Sequence, residues 1–236
     1  MKKRIRLFVI PLILALLSSC TLLDKLGFDT YDYMGESVLR SLPADGEESV
    51  LLTDLLSMLI TDSDTLPTFT NMGDAIREYR DTVLTYMLSV GYLQYSANTA
   101  LIEKTERAYP EYHITQVIPE SEFESVMYRI FGGDVKITHK DGERFQYLAR
   151  VGVYVTTLMP EASPYVPLIT EIRETERTYR VRFRVMSKEE DGGMSPEYFA
   201  LVIKREDGTH YIKKLLVASE VSEKKTGFFR LGGKDE

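Results

Sequence analysis

The apolar residues of this chain change their spacing from about 3.6 residues in the first half to two residues in the second half. A spacing of 3.6 places apolar side chains on one face of a helix, whereas alternation places them on one face of a strand. The sequence therefore predicts an α+β fold, with N-terminal helices packed on one face of a C-terminal antiparallel meander sheet of four to six strands.

Four helices are expected in the first half, because apolar stripes there are bounded by capping and stop residues. Asparagine accepts a first-turn N–H well, and glycine commonly ends a helix. The predicted helices have an apolar stripe over residues 50–59, a run from Asn71 to Gly91, the segment Asn98 to Ala108, and a run from Pro119 to Gly132-Gly133.

The strands of the second half are predicted from alternation and from glycine-containing turns. We expect a hairpin at Lys140-Asp141-Gly142, joining residues 135–139 to 144–148, because glycine readily takes the positive φ of such turns. Residues 160–167 are expected to form a loop. The other predicted strands are residues 112–118, 151–157, 168–174, 178–186, 197–205 and 210–217, the last two joined by Glu206-Asp207-Gly208.

The first twenty residues have the pattern of an export signal. Four basic residues lie within positions 2–6, an apolar run occupies positions 7–17, and Ser18-Ser19-Cys20 follows. The apolar run is shorter than the roughly 18 to 20 residues that a transmembrane helix needs. A charged start, a short apolar core and small residues before a cut site predict a cleaved leader.

The run Leu17-Ser18-Ser19-Cys20 resembles the lipobox of bacterial lipoprotein precursors. The resemblance implies that residues 1–19 are a removed signal peptide and that the Cys20 thiol carries a diacylglycerol. Buried acyl chains would then hold the protein at the cell membrane or outer membrane, on its extracytoplasmic side. The alternative for Cys20, the one cysteine of the chain, is a buried core thiol.

The remaining chain is divided into three regions. Residues 20–48 lack a sustained apolar period and are predicted to be an acidic tether, residues 49–219 a single α+β domain, and residues 220–236 a flexible tail. The element order over residues 71–219 resembles the nuclear-transport-factor-2-like fold, and a cystatin-like sheet with one long helix is the alternative. Both folds serve binding modules as well as enzymes, so neither implies a function.

The charge of the chain argues against nucleic-acid binding. Removing four basic and no acidic residues with the leader changes the formal charge from −7 to −11. Affinity for a phosphate backbone depends on clustered lysine and arginine, which an acidic domain does not supply in excess.

No catalytic residue, cofactor or metal site is predicted. The three histidines, His113, His139 and His210, lack the spacing of a specific metal site. Nucleophile elbows, zinc-protease helices and phosphate-binding glycine loops are also missing from the sequence.

Two patterns in the second half suggest binding. Arg180, Arg182 and Arg184 alternate along one strand, so three guanidinium groups share a sheet face and could bind an anionic wall component. The alternative is a solvated face balanced by glutamates. Six tyrosines would either line a concavity for a ligand or belong to the core: Tyr147, Tyr154, Tyr165, Tyr179, Tyr198 and Tyr211.

Together these features predict a non-enzymatic, lipid-anchored envelope protein that binds an envelope protein or an anionic wall component. One alternative is a small envelope enzyme with a pocket of histidine, tyrosine and carboxylates in a cone-shaped α+β fold. A purely structural spacer is another. A pocket lined by a histidine within hydrogen-bond reach of a carboxylate would favour the enzyme.

Overall fold

The computed structural model describes residues 33–133, 137–159, 161–189 and 194–221. Helices precede most of the strands, which confirms the predicted α+β class. The helices are α1 (Glu47–Ser57), α2 (Met72–Glu78), α3 (Arg80–Ala97), α4 (Thr99–Ala108) and α5 (Glu120–Phe131).

The described residues contain eight strands: β1 (Arg40–Leu42), β2 (Val117–Pro119), β3 (Gln146–Leu148), β4 (Val153–Val155), β5 (Tyr165–Glu174), β6 (Thr178–Ser187), β7 (Tyr198–Lys204) and β8 (His210–Val217). They form a five-stranded sheet in the order β1-β5-β6-β7-β8 and a three-stranded sheet in the order β2-β4-β3. All strand pairs are antiparallel. Strands β5 to β8 are the predicted meander, because each pairs with its neighbour in sequence.

The main core lies between the helices and one face of the five-stranded sheet. Helix α1 packs on β5, and α5 packs on β8. Phe131 of α5 is fully buried, and its ring centroid lies 5.5 Å from that of Phe69 and 5.7 Å from that of Tyr79. Burial of such large apolar side chains is the main favourable contribution to folding.

Strand β7 is buried on both faces. Tyr198 and Ala200 face the helices, whereas Phe199 and Leu201 belong to a second apolar cluster against which Tyr33 packs. Strand β6 therefore alternates buried and half-buried residues, whereas β7 is buried on both faces. We call the side of the sheet opposite the helices its outer face.

The hairpin expected at Lys140-Asp141-Gly142 is wrong in its described part. The described residues 137–145 contain no strand, and β3 pairs instead with β4, with Leu148 opposite Val153. Residues 134–136, at the start of the predicted hairpin, lie outside the described residues. Strand β2 completes this separate small sheet, which covers a core shared with α4.

The helix starts are predicted better than the helix lengths. Asn71 Oδ1 accepts the Asp74 N–H at 3.0 Å, which confirms the predicted N-cap. The expected single helix is two, because α2 ends at Glu78, and α3 continues past the predicted stop at Gly91 with a kink there. A Cβ on Gly91 would lie 2.7 Å from the Tyr95 ring, so glycine permits this close packing.

The glycine stops after α5 and in the last hairpin are confirmed. Gly132 follows α5 with a φ of +81°, and Gly208 takes the same φ in the turn between β7 and β8. Both positions need a backbone conformation that other residues adopt only with strain. A Cβ on Gly132 would also lie 2.7 Å from the Tyr211 ring.

Two segments predicted as loop or tether contribute strands. β1 comes from the predicted tether, and the Leu39 N–H donates to the Glu174 carbonyl at 2.8 Å. The described sheet therefore starts N-terminal to residue 49. β5 begins at Tyr165, inside the loop expected at residues 160–167. Both differences arise from pairing with distant strands, which local apolar spacing does not report.

Candidate functional site

The Arg180 side chain forms hydrogen bonds with the N-terminal segment of the described residues. Its Nη2 donates to the carbonyl oxygens of Tyr33 at 3.1 Å, Met34 at 3.0 Å and Glu36 at 2.7 Å. The Glu36 carboxylate in turn accepts from the Thr175 hydroxyl. Arg180 thus holds residues 33–36 against the outer face of the sheet.

Arg182 is engaged by two carboxylates. Its guanidinium lies 3.3 Å from Glu171 Oε2 and 3.2 Å from Glu197 Oε2. Arg184, half-buried opposite Leu168, has no ion-pair partner among the described residues. The structure therefore places the three arginines on one strand face and engages two of them within the chain. Binding of an anionic partner by this face stays a prediction.

His139 lies in a buried polar cluster. Its Nδ1 is 3.0 Å from the Tyr154 hydroxyl and its Nε2 is 3.0 Å from Glu124 Oε1. Burial raises the pKa of the Tyr154 phenol to about 12, so this group stays protonated at neutral pH. Both nitrogens of the His139 ring lie within hydrogen-bond distance of a protein oxygen, one phenolic and one from a carboxylate.

Tyr147 extends this cluster towards the surface. Its ring stacks on His139 at a centroid distance of 5.0 Å, and its hydroxyl donates to the Glu120 carboxylate. Gly152, at a φ of +73°, lets that carboxylate pass, since a Cβ there would lie 2.9 Å from Glu120. Burial raises the pKa of Tyr147 to about 12.

The other histidines and tyrosines that the sequence analysis considered do not gather at one place. His113 is almost fully exposed beside Glu106, and His210 is the first residue of β8 and lies against Tyr179. Among the six singled-out tyrosines, Tyr154 and Tyr198 are core residues at 0 % and 1 % exposure. The tyrosines thus supply core packing and the His139 cluster rather than one aromatic concavity.

The most distinctive site is a polar cleft that the sequence did not indicate. We call it the Arg80 cleft. It has a volume of about 400 Å³ and lies between residues 61–62, the α2–α3 junction at 77–85, and the loop 140–144. This volume is in the range of small-molecule sites.

Two of the three arginines that line the Arg80 cleft are already in ion pairs. Arg77 lies 2.8 Å from Asp74 Oδ1 and 3.0 Å from Glu78 Oε1. Arg144 pairs with Asp62. These ion pairs lie at the rim of the cleft, whereas Arg80 lies at its wall.

Arg80 itself is buried and only partly satisfied. The residue is 6 % exposed, and its Nη2 donates to the Thr138 carbonyl at 3.1 Å. Its Nε has no hydrogen-bond partner among the described residues, and the buried Thr85 hydroxyl in the same cleft has none either. A buried charge with incomplete hydrogen bonding is costly, so such a group in a natural fold requires an explanation.

Asp81 shapes the loop that forms the opposite wall. Its Oδ2 accepts the backbone N–H groups of Glu143 at 2.6 Å and Arg144 at 3.1 Å. A Cβ on Gly142 would lie 1.8 Å from Asp81 Oδ1, so only glycine permits this approach. The loop is thereby held against the start of α3, next to Arg80.

One sequence signal could have identified Arg80. It follows Tyr79 and lies four residues after Ile76 and three before Val83, all of which are buried. An arginine inside an apolar stripe at helical spacing is expected to be buried. That no carboxylate of the described residues forms an ion pair with Arg80, in contrast, depends on residues that are distant in sequence.

A second groove, of about 470 Å³, is more apolar. It lies between α1, where Val50 is 62 % exposed, and the turn before β8. His210 at its edge is half-buried, and burial together with Lys204 and Arg205 lowers its pKa.

Comparison with known proteins yields no relative, since no family model, curated protein or solved structure matches this chain. Within the described ranges, no helix is long and apolar enough to span a bilayer. The same residues hold no group of three or more side chains placed to ligate a metal ion. Cys20 and the leader lie outside the described residues, so lipidation stays a prediction.

Proposed function

We propose that this chain is a lipid-anchored binding protein of the cell envelope and that it performs no catalysis. The anchoring part of the proposal rests on the leader and the lipobox resemblance at Cys20. The binding part rests on the Arg80 cleft. Its partner would be an envelope component, either a wall constituent or a protein.

One observation carries the binding proposal, namely the incomplete hydrogen bonding of Arg80 at the wall of an open cleft. Residues that stabilise only the fold are usually fully satisfied, whereas binding sites keep groups whose partners arrive with the ligand. Because Arg77 and Arg144 form ion pairs and Arg80 forms none among the described residues, the Arg80 guanidinium is the one best suited to a ligand.

An enzyme is the second candidate, because His139 lies within hydrogen-bond reach of Glu124 and Tyr154. A general base needs a lone pair directed at its substrate. Both ring nitrogens of His139 are engaged, and Tyr154 is 0 % exposed. We therefore interpret this cluster as a structural network that joins α5 to β4.

Site-directed photocrosslinking in the source cells tests the binding proposal. A photoreactive phenylalanine analogue is placed at Lys140, on the rim of the cleft, or at Val90, a 67 % exposed control position on α3. We expect a discrete adduct from position 140 that disappears when Arg80→Gln is added. No adduct, or equal adducts from both positions, would contradict a binding role for the cleft.

Membrane fractionation tests the anchor separately. Wild-type protein should sediment with membranes and label with a palmitate analogue, and Cys20→Ala should do neither. A Cys20→Ala protein that is still cleaved and retained would refute the lipoprotein assignment.

A further inference from the structure

We propose that the Arg80 cleft recognises a singly charged carboxylate on its ligand, in preference to phosphate. This inference rests on the proposed binding function and names the chemistry of the group that occupies the cleft. Its basis is the charge balance around Arg80 together with three buried polar atoms of the cleft that have no hydrogen-bond partner among the described residues, namely Arg80 Nε, Thr85 Oγ1 and Asp81 Oδ1.

The positive charge of Arg80 is poorly compensated by the described residues. A guanidinium carries five N–H donors, of which the structure accounts for the bond to the Thr138 carbonyl. No carboxylate of the described residues forms an ion pair with it. Because the residue is 6 % exposed, bulk water compensates this charge only weakly. An anionic ligand would supply the missing acceptors in short, charge-assisted bonds.

The charges that line the cleft favour a ligand with a single negative charge. Four arginine and lysine side chains and five aspartate and glutamate side chains line the cleft. Glu78 and Asp81 line the same cleft as Arg80, so a second negative charge on the ligand would be repelled by carboxylates. One negative charge on the ligand balances the guanidinium of Arg80, which forms no ion pair among the described residues. A dianionic phosphate would bring a second negative charge that this guanidinium does not balance.

The Thr85 hydroxyl offers the ligand a second contact. The Thr85 hydroxyl is buried, has no partner among the described residues and lines the same cleft. A hydroxyl can donate to a second ligand oxygen or accept from a ligand N–H. A small ligand that presents a carboxylate beside an amide would offer acceptors to Arg80 and Thr85 and an N–H donor to Asp81 Oδ1, the third atom of the cleft without a partner among the described residues.

The test measures binding of three probes to the full chain in a non-ionic detergent by NMR titration. The probes are acetyl-dialanine with a free carboxylate, its C-terminal amide, and inorganic phosphate. We expect the carboxylate probe to bind most tightly, the amide probe at least about tenfold more weakly, and phosphate no more tightly than the amide, as one charge-assisted hydrogen bond implies.

Two variants assign this binding to the cleft. Arg80→Gln should weaken the carboxylate probe by about tenfold to a hundredfold, the effect of losing a charged partner. Thr85→Val should weaken it by a smaller factor of roughly three to ten, because it removes a neutral hydrogen bond and keeps the volume. Arg107→Gln on α4, away from the cleft, makes the same charge change as Arg80→Gln and should have no effect.

Several outcomes would overturn the inference. Tighter binding of phosphate than of the carboxylate probe, or equal binding of acid and amide, refutes the carboxylate preference. Binding that survives both Arg80→Gln and Thr85→Val places the site elsewhere. If Arg80→Gln fails to fold, Thr85→Val alone decides. Failure here together with an Arg80-dependent adduct at position 140 would leave the binding function intact and reject only the ligand class.

Discussion

Arg180→Gln is expected to release residues 33–36 from the outer face of the sheet. Arg180 Nη2 faces three backbone carbonyl oxygens at 2.7 to 3.1 Å, and its two hydrogens can form two full hydrogen bonds. A hydrogen bond from a charged donor contributes roughly 1.5 to 3 kcal/mol. Nε of Arg180 is buried without a partner among the described residues, which offsets part of this gain. We expect the docking of this segment to lose about 1.5 to 3 kcal/mol in total.

Hydrogen exchange followed by mass spectrometry measures this release. Amides of residues 33–42, including the Leu39 N–H that binds the Glu174 carbonyl, should exchange roughly ten to a hundred times faster in Arg180→Gln. Arg184→Gln is the matched control, because it makes the same change on the same strand face. The reasoning is refuted if Arg180→Gln folds with unchanged exchange over residues 33–42, or if Arg184→Gln accelerates it equally.

Three further predictions concern single side chains. Tyr154→Phe removes the buried hydroxyl that is hydrogen-bonded to His139 Nδ1, so denaturant titration should show a loss of about 1 to 3 kcal/mol; an unchanged free energy of unfolding would contradict the network. The Arg40 guanidinium holds the pKa of the Glu174 carboxyl below its ordinary 4.5. The ionised carboxylate therefore adds to the free energy of unfolding above that pH, and this contribution is lost as the pH falls and the carboxyl is protonated. Between about pH 5 and about pH 3, Glu174→Gln should therefore lose stability less steeply than wild type, and equal slopes would disprove this assignment. Thr85→Val removes a buried hydroxyl without a partner, so calorimetry should give an unchanged or higher Tm, and a clear decrease would show that the hydroxyl is satisfied.

Local signals predicted the parts of the fold that depend on a few neighbouring residues. Asn71 as an N-cap and Gly132 as a stop are examples, because each depends on backbone groups within one turn. The failed hairpin at Lys140-Asp141-Gly142 shows the limit of such signals. Its sequence suits a turn, but the Asp81 carboxylate from α3 binds the neighbouring backbone, and β3 pairs with β4 instead.

The candidate site could be predicted from local sequence signals even less than the fold, because it depends on contacts between distant residues. The spacing of Arg180, Arg182 and Arg184 correctly predicts a shared strand face, since side chains alternate in any strand. It does not report that the backbone of residues 33–36 covers Arg180 or that glutamates engage Arg182. The Arg80 cleft was missed because its walls come from three segments of the chain.

The sequence by itself determined the α+β class, the meander of β5 to β8, the faces of β6 and the roles of Gly132 and Gly208, because periodicity and backbone preference act over a few residues. Tertiary structure alone decided which charges are paired. Arg180 and Arg80 each donate from Nη2 to backbone carbonyl oxygen and each keep a buried Nε without a partner among the described residues, yet residues 33–36 cover the first arginine, whereas the second lines an open cleft. The pairing of a charge depends on groups that are distant in sequence and close in space, and this separates a structural arginine from a candidate binding residue.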